Sequence, residues 1–160
     1  MNTPHPPDAS LPASSRAPTP PLERPVSMIM TTGDLITADV SDDVSVAIDI
    51  FRLGRISHVP VLSEGSKLVG VVSPADILKL GAAPSAPRRG RIGIRIADVM
   101  TKNIETIRPT AHLRQAAQLF ISGGFHSLLV TASDGELLGI VTTSDILRAL
   151  VGEHVPPSAD

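Results

Sequence analysis

The chain contains the same pattern twice, and this repeat limits its fold more than any other feature. Residues 35–80 align with residues 104–149 without a gap. Apolar positions match along most of the alignment, and the identical pairs include Phe51/Phe120, Gly70/Gly139 and Asp76/Asp145. A repeat of this length indicates one folding unit present in two copies that pack on each other. Because a unit of about 50 residues buries little surface alone, we expect the copies to share one core.

Composition restricts both the core and the chemistry. Hydrophobic residues make up 42% of the chain, yet its aromatic residues are three phenylalanines, so aliphatic side chains must build the core. The absence of cysteine excludes disulfides, thiolate metal sites and cysteine nucleophiles. A formal net charge of −2 argues against broad affinity for nucleic acid.

Prolines and small residues divide the chain into segments. Residues 1–25 contain eight prolines and few large apolar side chains, which predicts a disordered tail. A stretch rich in proline, glycine and arginine predicts a linker at 81–95, between a first repeat at 26–80 and a second at 96–151. Residues 152–160 are expected to fray. With neither a secretory signal nor a membrane-spanning apolar run, we expect a cytoplasmic protein without membrane partners.

Hydrophobic periodicity predicts a strand, a helix, two strands and a final helix in each repeat. The first helices carry one apolar face each: Val44, Ala47, Ile48 and Phe51, and Leu113, Ala116, Ala117 and Phe120. Ser41 and Thr110 are the expected N-caps, and Gly54 and Gly123 are the expected left-handed ends. Hairpins are predicted at 56–62 with 68–72 and at 125–131 with 137–141, final helices at 74–80 and 143–150, and first strands at 35–38 and 104–107.

A hydroxyl residue precedes an acid by three positions where each hairpin meets its final helix. These pairs are Ser73 with Asp76 and Thr142 with Asp145. As capping motifs they each stabilise a helix start by about 1 kcal/mol. The same groups suit a ribonucleotide, because the hydroxyl and the helix start attract phosphate while the carboxylate accepts from the ribose hydroxyls. We expect the glycines Gly70 and Gly139, just upstream, to let a ligand approach the backbone.

Taken in order, these segments resemble a tandem pair of CBS domains, a family named after cystathionine β-synthase. The resemblance covers about three quarters of the chain, residues 26–150. Its motifs are Ile29-Met30-Thr31 and Asp98-Val99-Met100-Thr101, which open the units, Val59-Pro60-Val61 in a strand, and the two segments Gly70–Asp76 and Gly139–Asp145. The implied fold is α/β (α+β), with two βαββα repeats packed sheet to sheet about a pseudo-twofold axis.

The resemblance also implies a ligand and its binding residues. Similar proteins bind AMP, ADP, ATP or S-adenosylmethionine in two clefts between the repeats, with no covalent cofactor and no metal. Asp76 and Asp145 are expected to hold the ribose, and Ser73 and Thr142 to contact phosphate. The expected adenine walls are formed by Thr37, Val59 and Pro60, with His58 nearby, and by Thr106, Leu128 and Leu129.

The two copies differ where a ligand would be recognised. Pro60 corresponds to Leu129, and His58 corresponds to Ser127, so we expect two clefts of unequal chemistry. His126 is also expected near a cleft. The linker arginines are candidates for contacting a phosphate tail: Arg88, Arg89, Arg91 and Arg95.

Three functions remain open after this reading. The leading one is a regulatory, noncatalytic module that senses an adenine nucleotide and signals through an unknown effector protein or its own homodimer. The second is a structural dimerisation protein in which the hydroxyl-acid pairs act only as caps. The third, which the charge opposes, is nucleic-acid binding through the basic linker. No catalytic motif or metal-ligand spacing occurs among the five histidines.

Overall fold

The computed structural model describes residues 19–54, 56–79 and 93–152. Most of the predicted tail (1–18), most of the linker (80–92) and the end segment 153–160 lie outside the described residues. The family motifs and both final helices fall within them, apart from Leu80, so the candidate site is described from both repeats.

Each repeat folds as predicted into a small sheet with helices on one side. The first contains β1 (Ala38–Asp39), α1 (Val44–Leu53), β2 (Val59–Ser63), β3 (Lys67–Val72) and α2 (Pro74–Lys79). After α3 (Ile96–Val99), the second contains β4 (Thr106–Ile107), α4 (Leu113–Gly123), β5 (Ser127–Thr131), β6 (Leu137–Thr142) and α5 (Thr143–Val151). The two sheets have the orders β1-β2-β3 and β4-β5-β6, the first pair parallel and the second antiparallel.

The ends of the first helices differ from the prediction. Asp43, not Ser41, caps α1, since its carboxylate accepts from the Ser45 amide at 2.9 Å. Gly54 ends α1 in an extended conformation (φ −118°). His112, not Thr110, precedes α4, and the left-handed residue after α4 is Gly124 (φ 66°), not Gly123. Three of the predicted caps were therefore wrong by one or two positions, because several polar residues and two adjacent glycines compete there. Gly54 is the end residue as predicted, but not in a left-handed conformation.

The opening segment of each repeat packs on the other repeat. Val26 is fully buried in the second core, and its amide donates to the Ala111 carbonyl at 2.8 Å. Ile96, on α3, is fully buried in the first core, and its amide donates to the Asp42 carbonyl at 2.9 Å. The described residues thus form two hydrophobic clusters, each built from both repeats, where the sequence predicted one shared core.

Backbone hydrogen bonds also join the opening segment of each repeat to a strand of the other repeat. Thr31 exchanges two backbone hydrogen bonds with Ile140 of β6, at 2.9 and 3.0 Å. Thr101 does the same with Val71 of β3, also at 2.9 and 3.0 Å. A further bond, from the Leu68 amide to the Gly135 carbonyl at 3.0 Å, links the two hairpins. The repeats are therefore interlocked.

Part of the predicted tail is ordered. Pro21–Glu23 forms a 3-10 turn, and Leu22 packs against the second core. The Glu23 carboxylate pairs with Arg114 of α4 at 2.8 Å. Residues 19–25 therefore differ from the predicted disorder, because Leu22 and the ion pair give this stretch contacts that its proline content does not reveal.

Candidate functional site

The predicted cap at the start of α5 is present. The Thr142 hydroxyl donates to Oδ2 of Asp145 at 2.7 Å, and the same oxygen accepts from the Thr142 amide at 2.8 Å. The Asp145 amide donates back to the Thr142 hydroxyl at 3.3 Å, which completes a capping box. One oxygen of Asp145 is thus engaged within the helix start.

The equivalent pair at α2 shares the bonds to the carboxylate, whereas the Asp76 amide donates to the Ser73 carbonyl at 3.0 Å and not to the Ser73 hydroxyl. Oδ2 of Asp76 accepts from the Ser73 hydroxyl at 2.7 Å and from the Ser73 amide at 2.9 Å. Asp76 is 5% exposed, one of the few buried polar residues in the described chain. Thr142 and Asp145 thus form a full capping box, whereas Ser73 and Asp76 form the half in which the carboxylate accepts from the hydroxyl residue.

The second oxygen of Asp76 has different partners. Oδ1 accepts from the Lys79 ammonium at 2.9 Å and lies 3.5 Å from the Thr101 hydroxyl. Burial acts to raise the pKa of Asp76, but the hydrogen bonds from Ser73 and Lys79 outweigh it and hold the pKa below its ordinary value. Asp76 is thus a fixed carboxylate with one oxygen held by an exposed side chain.

Asp76 lies in a cleft of about 860 Å³ between the two repeats. This volume falls in the range of about 300–1,000 Å³ that is typical of small-molecule sites. The cleft is lined from the first repeat by Ile56, Ser57, His58, Pro60, Val71, Ser73, Ala75, Asp76 and Lys79, and from the second by Thr101, Asn103, Ile104, Glu105, Gly124, Phe125, His126, Ser127, Leu128, Leu129, Ile140 and Thr142.

Seven of the predicted site residues line this cleft. They are His58, Pro60, Ser73, Asp76, Leu128, Leu129 and Thr142. Leu128, which is 2% exposed, borders the cleft but packs its side chain in the second core. Asp145, Thr37 and Thr106 do not line it, and Val59 has its side chain fully buried in the first core. The alternation of side chains along β2 explains the burial of Val59, because Val59 and Pro60 point to opposite faces of the sheet.

The mismatched positions lie together in the same cleft. His58 and Pro60 line it from β2 and the residue before it, and Ser127 and Leu129 line it from β5. All four line this cleft, so its two walls have unequal chemistry. The expected difference between two clefts stays a prediction.

The two glycines have a role other than the predicted one. A β-carbon on Gly70 would collide with the Met100 sulfur, and one on Gly139 would lie 2.5 Å from the Thr31 carbonyl oxygen. Both glycines face the opening segment of the other repeat. The prediction that they give a ligand access to the backbone was therefore wrong.

Several cleft residues were not anticipated from the sequence. Lys79 follows Asp76 by three positions and so lies on the same side of α2, a spacing that could have identified it. Thr101 and the segment 103–105 enter the cleft because the second repeat's opening crosses to β3. No local pattern indicates that crossing.

The remaining candidates do not join the cleft. Arg88, Arg89 and Arg91 lie outside the described residues, and Arg95 precedes α3 without lining the cleft. Within the described ranges, no group of three or more His, Cys, Asp or Glu residues could hold a metal ion. Among the helices of that part of the chain, none is long and apolar enough to cross a membrane.

Comparison with known proteins decides the family. The model of the CBS domain matches residues 26–83 and 96–152. The chain belongs to the CBS domain family. Its two CBS domains are the two repeats, and the cleft lies between them.

Relatives include an uncharacterized protein and a much longer enzyme. The uncharacterized protein MJ1426 of Methanocaldococcus jannaschii is 28% identical over 138 residues, which covers 69% of this chain and 82% of the relative. An inosine-5'-monophosphate dehydrogenase of the same organism is 27% identical over 115 residues, covering 72% of this chain but 21% of the enzyme.

Solved CBS pairs share the fold. CBSX2 of Arabidopsis thaliana, solved in complex with AMP, is 29% identical with a TM-score of 0.67, over 80% of this chain and 96% of that one. The CBS pair of protein MJ0100, solved with 5-methylthioadenosine and S-adenosyl-L-methionine, is 26% identical with a TM-score of 0.62, over 82% and 98%.

Proposed function

We propose that the cleft between the two CBS domains binds an adenine nucleotide or another adenosyl ligand, and that the protein is a regulatory, noncatalytic module. The observation that carries this proposal is the position of Asp76, whose buried carboxylate faces a cleft of ligand size. A partner protein or an assembly of this chain receives the signal.

Each part of the ligand has a matching surface. Asp76 accepts from the ribose hydroxyls through Oδ1, since Oδ2 is already held by Ser73. The opposite wall supplies aliphatic surface for adenine through Leu129 and Ile140. Ser73 and Thr142 line the same cleft and are the proposed phosphate contacts. Their hydroxyls now donate to Asp76 and Asp145, so each would have to turn from its carboxylate to donate to a phosphate.

Two relatives support the class of ligand. CBSX2 was solved with AMP, and the CBS pair of MJ0100 with 5-methylthioadenosine and S-adenosyl-L-methionine. These ligands have adenosine in common and differ at the 5′ position. Adenosine recognition is therefore the shared element that we extend to this chain.

The proposal is tested by ligand-dependent melting and calorimetry with AMP, ADP, ATP and S-adenosylmethionine. A ligand at a hundredfold excess over its dissociation constant stabilises the folded state by about 2.7 kcal/mol, which raises the melting temperature by roughly 5 to 10 °C. Asp76→Ala is expected to abolish binding in this cleft. Asp145→Ala, which removes the equivalent cap but no cleft-lining group, is the matched control.

Equal affinity of wild-type protein and Asp76→Ala for every ligand contradicts the proposal. So does an unmoved melting curve with all four compounds. A loss of stability in both variants, with no binding to lose, supports the alternative in which the two pairs act only as helix caps.

That alternative, a structural dimerisation protein, is favoured by exposed apolar side chains on the helices. Leu78 on α2 and its counterpart Leu147 on α5 are both more than half exposed, and Leu53, Ile121 and Val151 are more exposed still. Sedimentation of Leu78→Glu and Leu147→Glu variants tests it, because a dimer that uses these faces becomes monomeric. An unchanged sedimentation coefficient argues against this assembly.

A further inference from the structure

Lys79 places a cation beside the proposed ribose site. Its ammonium lies 2.9 Å from Oδ1 of Asp76, and its side chain is 74% exposed whereas that of Asp76 is 6% exposed. A buried carboxylate is thus covered by a flexible, solvated side chain. An ion pair with so exposed a cation adds little net stability, so its exchange for another partner costs little.

The two oxygens of Asp76 differ in how readily they exchange partners. Oδ2 is bound by the amide and hydroxyl of Ser73, which are fixed by the start of α2. Oδ1 is bound by Lys79 and, at 3.5 Å, by Thr101. A ligand hydroxyl that reaches Asp76 therefore takes Oδ1, where it competes with the Lys79 ammonium.

The charged groups in the cleft indicate which partner the displaced Lys79 ammonium would take. The charged side chains that line the cleft are Asp76, Glu105 and Lys79, with His58 and His126 as further titratable groups. Lys79 is the one lysine or arginine among the described lining residues. Once a ribose hydroxyl occupies Oδ1 of Asp76, the ammonium loses its direct contact with that oxygen and favours an anionic group on the same ligand.

We infer that Lys79 determines ligand specificity in this cleft: it leaves Asp76 when a ribose binds and pairs with the ligand's phosphate. The cleft then selects phosphate-bearing nucleotides over neutral or cationic adenosyl compounds. This inference rests on the proposed function, and it names the ligand class within it. Lys79 is a residue that the capping motif alone would leave as an exposed surface side chain.

The test compares adenosine, AMP and S-adenosylmethionine by calorimetry on the full chain. Wild-type protein should bind AMP at least about tenfold more tightly than either other compound. Lys79→Met should weaken AMP by about tenfold and leave adenosine within about twofold, so that discrimination disappears. Lys79→Arg should restore most of the preference because it retains the charge.

Arg148→Met is the matched control. Arg148 occupies the equivalent position in the second repeat and lies 3.6 Å from Asp145, outside this cleft. This variant should keep the preference for AMP. Because Lys79 is exposed, its substitution leaves the core intact, and the melting temperature without ligand checks that each variant is folded.

The outcomes separate this inference from the proposed function. Binding of adenosine and AMP with equal affinity, unaffected by Lys79→Met, overturns the role of Lys79 and leaves adenosyl binding in place. Tighter binding of S-adenosylmethionine than AMP by wild-type protein also overturns it. Failure of all three compounds to bind, and of ADP and ATP in the same assay, overturns both proposals.

Discussion

Gly139 of β6 lies against the carbonyl oxygen of Thr31, which would be 2.5 Å from a β-carbon at that position. In the other repeat, Gly70 of β3 is covered by the side chain of Met100. Each glycine therefore permits the opening segment of one CBS domain to cross the hairpin of the other. The interlocked architecture depends on these two close approaches.

Alanine at these glycines should destabilise the fold unequally. Gly139→Ala forces a backbone oxygen to move and should cost about 2–3 kcal/mol, whereas Gly70→Ala meets mainly the flexible end of Met100 and should cost about 1–2 kcal/mol. Urea unfolding measures both. Gly33→Ala is the control, because a β-carbon there meets nothing within 4 Å. If Gly33→Ala and Gly139→Ala lowered the free energy of unfolding by the same amount, the crossing would not constrain Gly139.

Removing the Ile96 side chain should destabilise the first repeat, although Ile96 belongs to the second repeat in sequence. Ile96 is fully buried in the cluster of β2 and β3, so Ile96→Ala should cost about 2–5 kcal/mol. Amide hydrogen exchange should accelerate first at Val61 and Val72. The matched variant Val26→Ala should act first at Val130 and Val141, because Val26 packs in the second cluster. Faster amide hydrogen exchange that is confined to the repeat containing the mutated residue in sequence would contradict the packing of each opening segment on the other repeat.

Asp76 should make stability sensitive to acid. Its pKa is lowered in the folded state, so the folded state holds its proton less tightly than the unfolded chain. The resulting stabilisation is present above the ordinary value of 3.8 and is lost as the pH falls below it. Asp76→Asn should therefore narrow the difference in unfolding free energy between pH 7 and pH 3. A difference equal to that of wild-type protein would show that other carboxylates, such as Asp43, carry the acid sensitivity.

Periodicity predicted the elements of both repeats, because the apolar faces of α1 and α4 and the alternation in the hairpins record which side is buried. Periodicity did not reveal in which core Val26 and Ile96 are buried. A short apolar segment has the same sequence pattern whether it packs on its own repeat or on the other one. That missing information also explains why the glycines were assigned to a ligand.

The candidate site, too, could be predicted only in part from the sequence. Ser73, Asp76 and Thr142 could be found from the sequence, because a hydroxyl and an acid three residues apart must meet at a helix start. Lys79 was missed although its spacing of three residues from Asp76 places both on one side of a helix. Thr101 could not be found, because its approach to Asp76 depends on a chain crossing. Leu129 and Pro60 were predicted for different clefts, and only the packing of the repeats brings them together.

The most direct test of the central claim is the distance between a ribose and Asp76 in crystals of the chain grown with AMP. We expect a ribose hydroxyl at a hydrogen-bond distance of about 2.7 Å from Oδ1 of Asp76, with the Lys79 ammonium moved from that oxygen to the phosphate. AMP bound elsewhere, with the bond between Lys79 and Asp76 retained, would contradict the claim that this cleft is the adenosyl site.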